Sequence, residues 1–257
     1  MNARAIRGML RILGLPALLV LAWWAYAGTA GNFFVRTPGE VGQAFARTWF
    51  SHRVLDDVLP SLWRLSAGYL LAIVIGVGIG VPVGLSWRVR AILEPVLEFF
   101  RAIPPPVLVP LIMLLAPIDN TTKIIVIVSG CIWPILLNTV EGVRALDEVL
   151  SDTCRMYGVR GMSRLRRFVL RGASPQIMAG CRQALSIGLI LMVISEMFAS
   201  SSGLGFTIVL FQRQFQIPEM WSGILLLGLL GFLLSVLLRL IEGRVLAWYH
   251  GRGAGGG

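Results

Sequence analysis

The sequence predicts an all-α, polytopic membrane protein with about six transmembrane helices, and three observations predict it. Hydrophobic residues make up 56% of the 257 residues and charged residues only 14%, whereas a soluble domain carries about 25% charge. Several apolar runs approach the ~20 residues that a helix needs to cross a bilayer core of ~30 Å. Arginine is distributed unevenly between the loops that separate those runs. The same composition excludes a disordered chain, which would be poor in apolar residues and rich in charge.

The first apolar run covers 12–27, behind Arg4, Arg7 and Arg11. Ala25-Tyr26-Ala27 has the form of a signal-peptidase site, so a cleaved signal peptide competes with an uncleaved first span. Trp23-Trp24 suits an interfacial belt, and the further runs favour the span. Between 28 and 64 the chain is more polar. There Pro38-Gly39-Glu40 opens a helical stretch with Val41, Phe45 and Trp49 on one face, read as an interfacial helix on the outer leaflet. The second run, 65–85, places Gly68, Ala72, Gly76, Gly80 and Gly84 four residues apart. Such a stripe lets another helix approach closely, within the chain or from another subunit. Gly76-Val77-Gly78-Ile79-Gly80 lacks the β-α-β context of a dinucleotide loop.

The third run, 96–115, carries Arg101 and the triplet Pro104-Pro105-Pro106; Arg101 reads as snorkelling to the interface. The remaining runs are 124–140, 185–199 and 221–241. With a cytoplasmic N-terminus, 17 Lys and Arg fall on the inner side and 6 on the outer side. That split predicts both termini in the cytoplasm. It also accounts for the net charge of +10 without a nucleic-acid partner. Cys131, Cys154 and Cys181 are odd in number and widely spaced, and the only histidines are His52 and His250. Neither a disulfide framework nor a metal site is expected, and no cofactor is implied.

The loop between the fourth and fifth runs, 141–180, is the most informative segment. Leu146, Val149, Leu150, Thr153, Cys154 and Tyr157 recur at helical spacing. Gly158 follows where a helix C-cap glycine stands. Met162, Leu165, Phe168 and Val169 then share a face of a second short helix, among Arg164, Arg166 and Arg167, and Pro175 is expected to end the unit. Apolar residues on such a helix-glycine-helix hairpin need the membrane underside or a partner protein to cover them.

In this hairpin Asp152-Thr153-Cys154-Arg155-Met156-Tyr157-Gly158, followed by Arg166-Arg167-Phe168-Val169-Leu170 and Pro175, resembles the EAA loop of binding-protein-dependent ABC importer permeases. The glycine stands six residues after the acidic position and the proline seventeen after the glycine. Leu62 to Tyr69, Pro104 to Pro110, Trp133 to Thr139, and Ser195-Glu196-Met197 with Ser200 to Gly205 resemble further core helices of the nitrate, sulfonate and taurine branch. There are departures: Asp152 replaces Glu, Thr153-Cys154 replaces two alanines, Arg171 stands where proline is usual, and Ala116-Pro117-Ile118-Asp119 replaces a glycine-bearing turn.

The resemblance implies the type I importer permease (MetI-like) fold and a subunit without catalysis of its own, in a bacterial cytoplasmic (inner) membrane. The implied partners are two cytoplasmic ABC ATPase subunits, an extracytoplasmic substrate-binding protein and a second permease copy, identical or a close paralogue, within membrane lipid. The ATPase-coupling residues would be Asp152, Thr153, Cys154, Arg155, Tyr157, Gly158, Leu165 and Phe168. The chain has no GxxxxGK[ST] phosphate loop of its own. The implied organisation is an N-terminal helix at 1–30, an extracytoplasmic loop at 31–62, a permease core at 63–245 and a flexible tail at 246–257.

Glu196 is the acidic residue well inside a span, and it reads either as a pathway residue or as a structural hydrogen-bonding group. Ser195 and Asn138 likewise face a polar pathway or bridge helices. A self-sufficient secondary transporter or membrane enzyme is the competing class. No internal repeat with broken helices and no His, Asp or Glu cluster supports it. Branch resemblance alone points to a small organic sulfonate or similar anion as substrate.

Overall fold

The computed structural model describes residues 3–29, 31, 33–117, 119–198 and 200–249, with side chains from residue 14 onward. Ile118, Ala199 and the tail 250–257 with His250 and Arg252 lie outside the described residues, as do the side chains of Arg4, Arg7 and Arg11. Among the described residues eleven α-helices follow in order: α1 (Ala3–Thr29), α2 (Pro38–Trp49), α3 (Leu59–Leu85), α4 (Trp87–Ala102), α5 (Pro105–Leu115), α6 (Asn120–Arg144), α7 (Glu148–Met156), α8 (Gly161–Arg164), α9 (Leu170–Phe198), α10 (Leu204–Arg213) and α11 (Ile217–Val245). One π-helical turn, Val54–Val58, leads into α3, and another, Leu165–Val169, fuses α8 to α9. Among the described residues four helices are long and apolar enough to span a membrane, or five when the bent pair α4–α5 counts as one span.

The third apolar run is not one helix. α4 and α5 meet at 91°, with Ile103 and Pro104 extended between them. A residue before proline is pushed out of the helical region, and here two successive residues precede prolines, so the helix must break.

The glycine stripe packs inside the chain. A Cβ on Gly68, Gly76, Gly80 or Gly84 would stand 2.7–2.8 Å from Ile127, Ile135, Thr139 or Val143 of α6. On the other flank of α6, Gly180 and Gly188 of α9 lie against the Pro134 carbonyl and Cys131 Sγ. The core is therefore a three-helix layer, α3–α6–α9, drawn together by small residues because lipid offers little hydrophobic incentive for helices to associate. Leu65, Ala72, Val126, Ile127, Ile135 and Leu191 are among its buried side chains.

α2 departs from the interfacial reading. Its capping box is complete: Thr37 Oγ1 accepts from the Glu40 N–H at 3.3 Å, and the Glu40 carboxylate accepts from the Thr37 N–H at 2.9 Å. That backbone hydrogen bond from Thr37 holds the Glu40 carboxyl below its ordinary pKa. Val41, Ala44 and Trp49 are buried, and Trp49 Nε1 donates to Ser222 Oγ of α11 at 3.0 Å. The face carrying Val41, Phe45 and Trp49 thus packs on protein. Pro175 does not end a helix either. The chain runs helically from Gly161 to Phe198, and Ser174 Oγ donates to the Arg171 carbonyl at 2.7 Å, replacing the N–H that proline lacks.

Candidate functional site

Two constellations stand at opposite ends of the α3–α6–α9 layer. At one end α7 and α8 form the hairpin. Asp147 caps α7, its carboxylate accepting from the Val149 and Leu150 N–H groups at 2.8 and 3.3 Å. α7 closes as a Schellman motif: the Gly158 N–H donates to Arg155 O at 3.1 Å and the Val159 N–H to Cys154 O at 2.8 Å. This places Gly158 at φ +67° and Gly161 at φ +58°, a region where a side chain strains the backbone. Both glycines have open space around them, so the requirement is one of backbone shape.

Arg164 Nη2 donates to Ser151 Oγ at 2.9 Å, tying the second arm to the first. Leu165 and Phe168 are half-buried against Val81 of α3, Val143 of α6, and Val169 and Ala173. They anchor the hairpin to the bundle instead of facing outward. Cys154 is half-buried. The outward surface is formed by Tyr157 and Met156, 82% and 87% exposed, with Val149, Leu150 and Met162 beside them. Asp152 and Arg155 pair at 3.0 Å on that surface, and Thr153 donates back to its own helix at Val149 O. The eight predicted residues thus separate into an outward group and an anchoring group. Met156 is the outward side chain that the helical pattern alone did not single out.

At the other end lies a buried polar cluster. Glu196 of α9 is fully buried and Arg64 of α3 is 3% exposed, and they pair at 2.7 Å. Arg64 spends every nitrogen: Nε donates to Asn120 Oδ1 at 2.8 Å, Nη1 to Glu196 and the Ser202 carbonyl, and Nη2 to Ser202 Oγ at 3.0 Å. Glu196 also accepts from Ser61 Oγ at 2.8 Å and from the Gly205 N–H at 3.0 Å. Ser61 Oγ in turn accepts from the Leu204 N–H, and Asp57 Oδ1 accepts from the Gly203 N–H at 3.2 Å. Lys123 Nζ donates to Ser200 Oγ at 2.8 Å. A Cβ on Gly203, at φ +118°, would collide with the Glu196 carboxylate.

This arrangement fastens α3, α9 and the start of α10 to the Glu196 carboxylate, and α6 joins it through Asn120 on Arg64. The hydrogen-bond partners of Glu196 are Arg64, Ser61 and the Gly205 N–H. Ser195 is buried and donates to Met192 O within its own helix. Asn138 is half-buried and donates to the Pro134 carbonyl at 2.8 Å. Arg64, Ser61, Asp57 and Asn120 were not singled out from sequence. The available signal was a basic residue just before the second apolar run and an acidic residue near the end of the fifth, at ends that the topology brings together.

A family model described as "Binding-protein-dependent transport system inner membrane component" matches residues 69–247. The chain is 28% identical over 257 aligned positions to the "Putative aliphatic sulfonates transport permease protein SsuC" of Bacillus subtilis (strain 168), covering 96% of this chain and 93% of that one. It is 28% identical to the "Taurine transport system permease protein TauC" of Escherichia coli (strain K12), covering 92% and 89%. It is 30% identical to the SsuC protein of the same E. coli strain, covering 90% of each. The chain belongs to the binding-protein-dependent transport system inner membrane components, and is a non-catalytic ABC importer permease that works with a separate ATPase and a substrate-binding protein.

Proposed function

We propose that two copies of this chain form the membrane pathway of an importer for a small organic sulfonate or similar oxyanion, with both termini in the cytoplasm. The observation that carries the reading is the hairpin. Met156 and Tyr157 stand exposed at the capped end of α7, and Met162 stands exposed on α8; an apolar surface of this kind calls for a partner. The occupant is a groove on the ATPase, with Asp152, Thr153, Arg155 and Tyr157 touching it and Gly158 setting the angle. Leu165 and Phe168, packed on α3 and α6, carry ATPase movement into the bundle. The arginine-rich loop then faces the cytoplasm, in keeping with the positive-inside rule. The substrate class rests on the names of the relatives, which concern aliphatic sulfonates and taurine.

The experiment is uptake into proteoliposomes carrying the chain with its ATPase and binding protein, using taurine, methanesulfonate, nitrate and bicarbonate in parallel. Sulfonate uptake that needs ATP and all three components is expected; uptake of none of the four refutes the substrate class. Topology is tested by single cysteines. Gln43→Cys and Gln214→Cys should label from outside and Ser163→Cys only after permeabilisation; external labelling at 163 overturns the orientation.

A further inference from the structure

Arg171 stands where the importer permeases usually carry proline, and neither the outward surface of the hairpin nor the buried cluster uses it. It is the second residue of α9 and is exposed. Its guanidinium carbon lies 5.4 Å from the centre of the Trp248 ring, within reach of a cation–π contact. The end of the last span brings Trp248 there. Past α11, Leu246 is buried with Met178, Leu185 and Leu238, so the chain folds back onto α9.

The surface around Arg171 is basic and hollow. A hollow of about 460 Å³ is lined by Arg171 and Ser174 of α9 and by Arg244 and Trp248 at the end of α11. A second, of about 620 Å³, shares Arg171 and Trp248 and adds Arg167. No ion pair among the described residues uses Arg167, Arg171 or Arg244. Asp147 is the carboxylate on the second hollow, and its Oδ1 already accepts from two N–H groups of α7. Guanidinium groups gathered without a counter-charge attract an anion, and their planar fork matches a phosphate.

Two features say which anion. The first is depth. Ala173, two residues beyond Arg171, is buried with Val81 and Val143, near the ends of α3 and α6. Arg171 therefore stands where the apolar spans end, at the level of lipid headgroups, and tryptophan is favoured at that level. The second is the approach along α11. Leu233, Leu237, Leu240 and Arg244 follow at intervals of four, three and four, so they share one helix face. The three leucines are more than half exposed, and they lead down the span to Arg244. A soluble phosphate gains nothing from an apolar track, whereas a phospholipid has an acyl chain to lay on it.

We propose that Arg171 and Arg244, with Trp248 and Arg167 beside them, bind the phosphate of an anionic phospholipid whose acyl chain lies along Leu233, Leu237 and Leu240. Basic hollows at the inner ends of membrane helices suit such headgroups. The site uses none of the outward residues of the hairpin, and it goes beyond the importer reading, which assigns lipid to no residue.

The test uses the full chain purified in a neutral detergent, with lipid retention read by native mass spectrometry. The probes are phosphatidylglycerol and phosphatidylcholine of equal chain length. Phosphatidylglycerol should be retained at least about fivefold better. Arg171→Gln and Arg244→Gln should each lower its retention about fivefold, and together about thirtyfold. Arg88→Gln, an exposed arginine on α4, should leave it unchanged. Leu237→Gln keeps the arginines and should lower retention by removing part of the track. Inorganic phosphate in large excess should fail to displace the lipid. Thermal unfolding in the same detergent reports that each variant is folded. Equal retention of the two lipids, or wild-type retention by the double variant, overturns the proposal. Displacement by inorganic phosphate, or retention indifferent to Leu237→Gln, makes the site one for a soluble anion and also overturns it. Retention is read on the isolated chain, so failure of ATPase docking or uptake would count against the importer reading alone.

Discussion

The two ends of the helical layer are built on opposite principles. At the Arg64–Glu196 end Asp57, Arg64, Lys123 and Glu196 are buried and each has a partner, and the hydrogen bonds link residues as far apart in sequence as Arg64 and Ser202. At the hairpin end the hydrogen bonds are local, the Asp152–Arg155 pair is exposed, and large apolar side chains face outward. A buried charge network tolerates only one arrangement of its partners, so it holds helices at a fixed separation. A locally capped hairpin keeps its own shape without help and leaves its outer surface for something else. The difference teaches which end can exchange partners: the hairpin can dock and undock without exposing a charge, whereas the cluster cannot open without leaving Arg64 or Glu196 unpaired in a dry environment.

The largest break in this contrast is Glu196→Ala. Removing one member of a buried pair typically costs about 3–5 kcal/mol, because the other charge is stranded. The purified chain should unfold at a clearly lower temperature in detergent and accumulate poorly. Glu196→Gln, which keeps the shape and can still accept from Ser61 and Gly205, should be milder. Equal stability of Glu196→Ala and wild type would show that the cluster is not what fixes that end.

Next in size is Gly158→Val. A side chain in the left-handed region costs roughly 1–2 kcal/mol, more for a β-branched residue. That cost falls on the hairpin, because nothing surrounds Gly158 and the spans lie elsewhere. The mutant should reach the membrane in normal amount yet lose ATPase co-purification and uptake. Coupled uptake at the wild-type level would mean that hairpin shape does not matter for docking.

Arg164→Ala should be smaller. It removes the tie to Ser151 and the guanidinium resting over Phe168, worth about 1 kcal/mol for such a hydrogen bond. Weaker ATPase co-purification with unchanged thermal stability of the bundle is expected, and a large fall in bundle stability would erase the distinction between the two ends. The smallest effect belongs to Arg155→Ala. Exposed pairs contribute about 0–1 kcal/mol, so stability should be indistinguishable from wild type. Any loss should appear only in ATPase binding, where Arg155 would touch the partner.

Local features were legible without the fold. Apolar run length located the four long spans, and the spacing of Leu146, Val149, Leu150, Tyr157 and Gly158 located α7 and its stop, because helical faces and left-handed glycines depend on neighbours within a few residues. Hairpin packing was less legible: Leu165 and Phe168 could be placed on a face, but which side that face presents to the bundle depends on α3 and α6.

What the sequence determined by itself, then, is the helical class, the hairpin and the glycine stop at Gly158, since each is decided within a turn or two of chain. The tertiary structure alone decided that the stripe from Gly68 to Gly84 receives α6, that α2 packs on α11, and that Arg64 neutralises Glu196 across 132 residues. Each of these is a choice among distant partners. In an apolar solvent that choice is set by which backbones can approach closely and which buried charges can be paired, and neither is encoded at a fixed spacing along the chain.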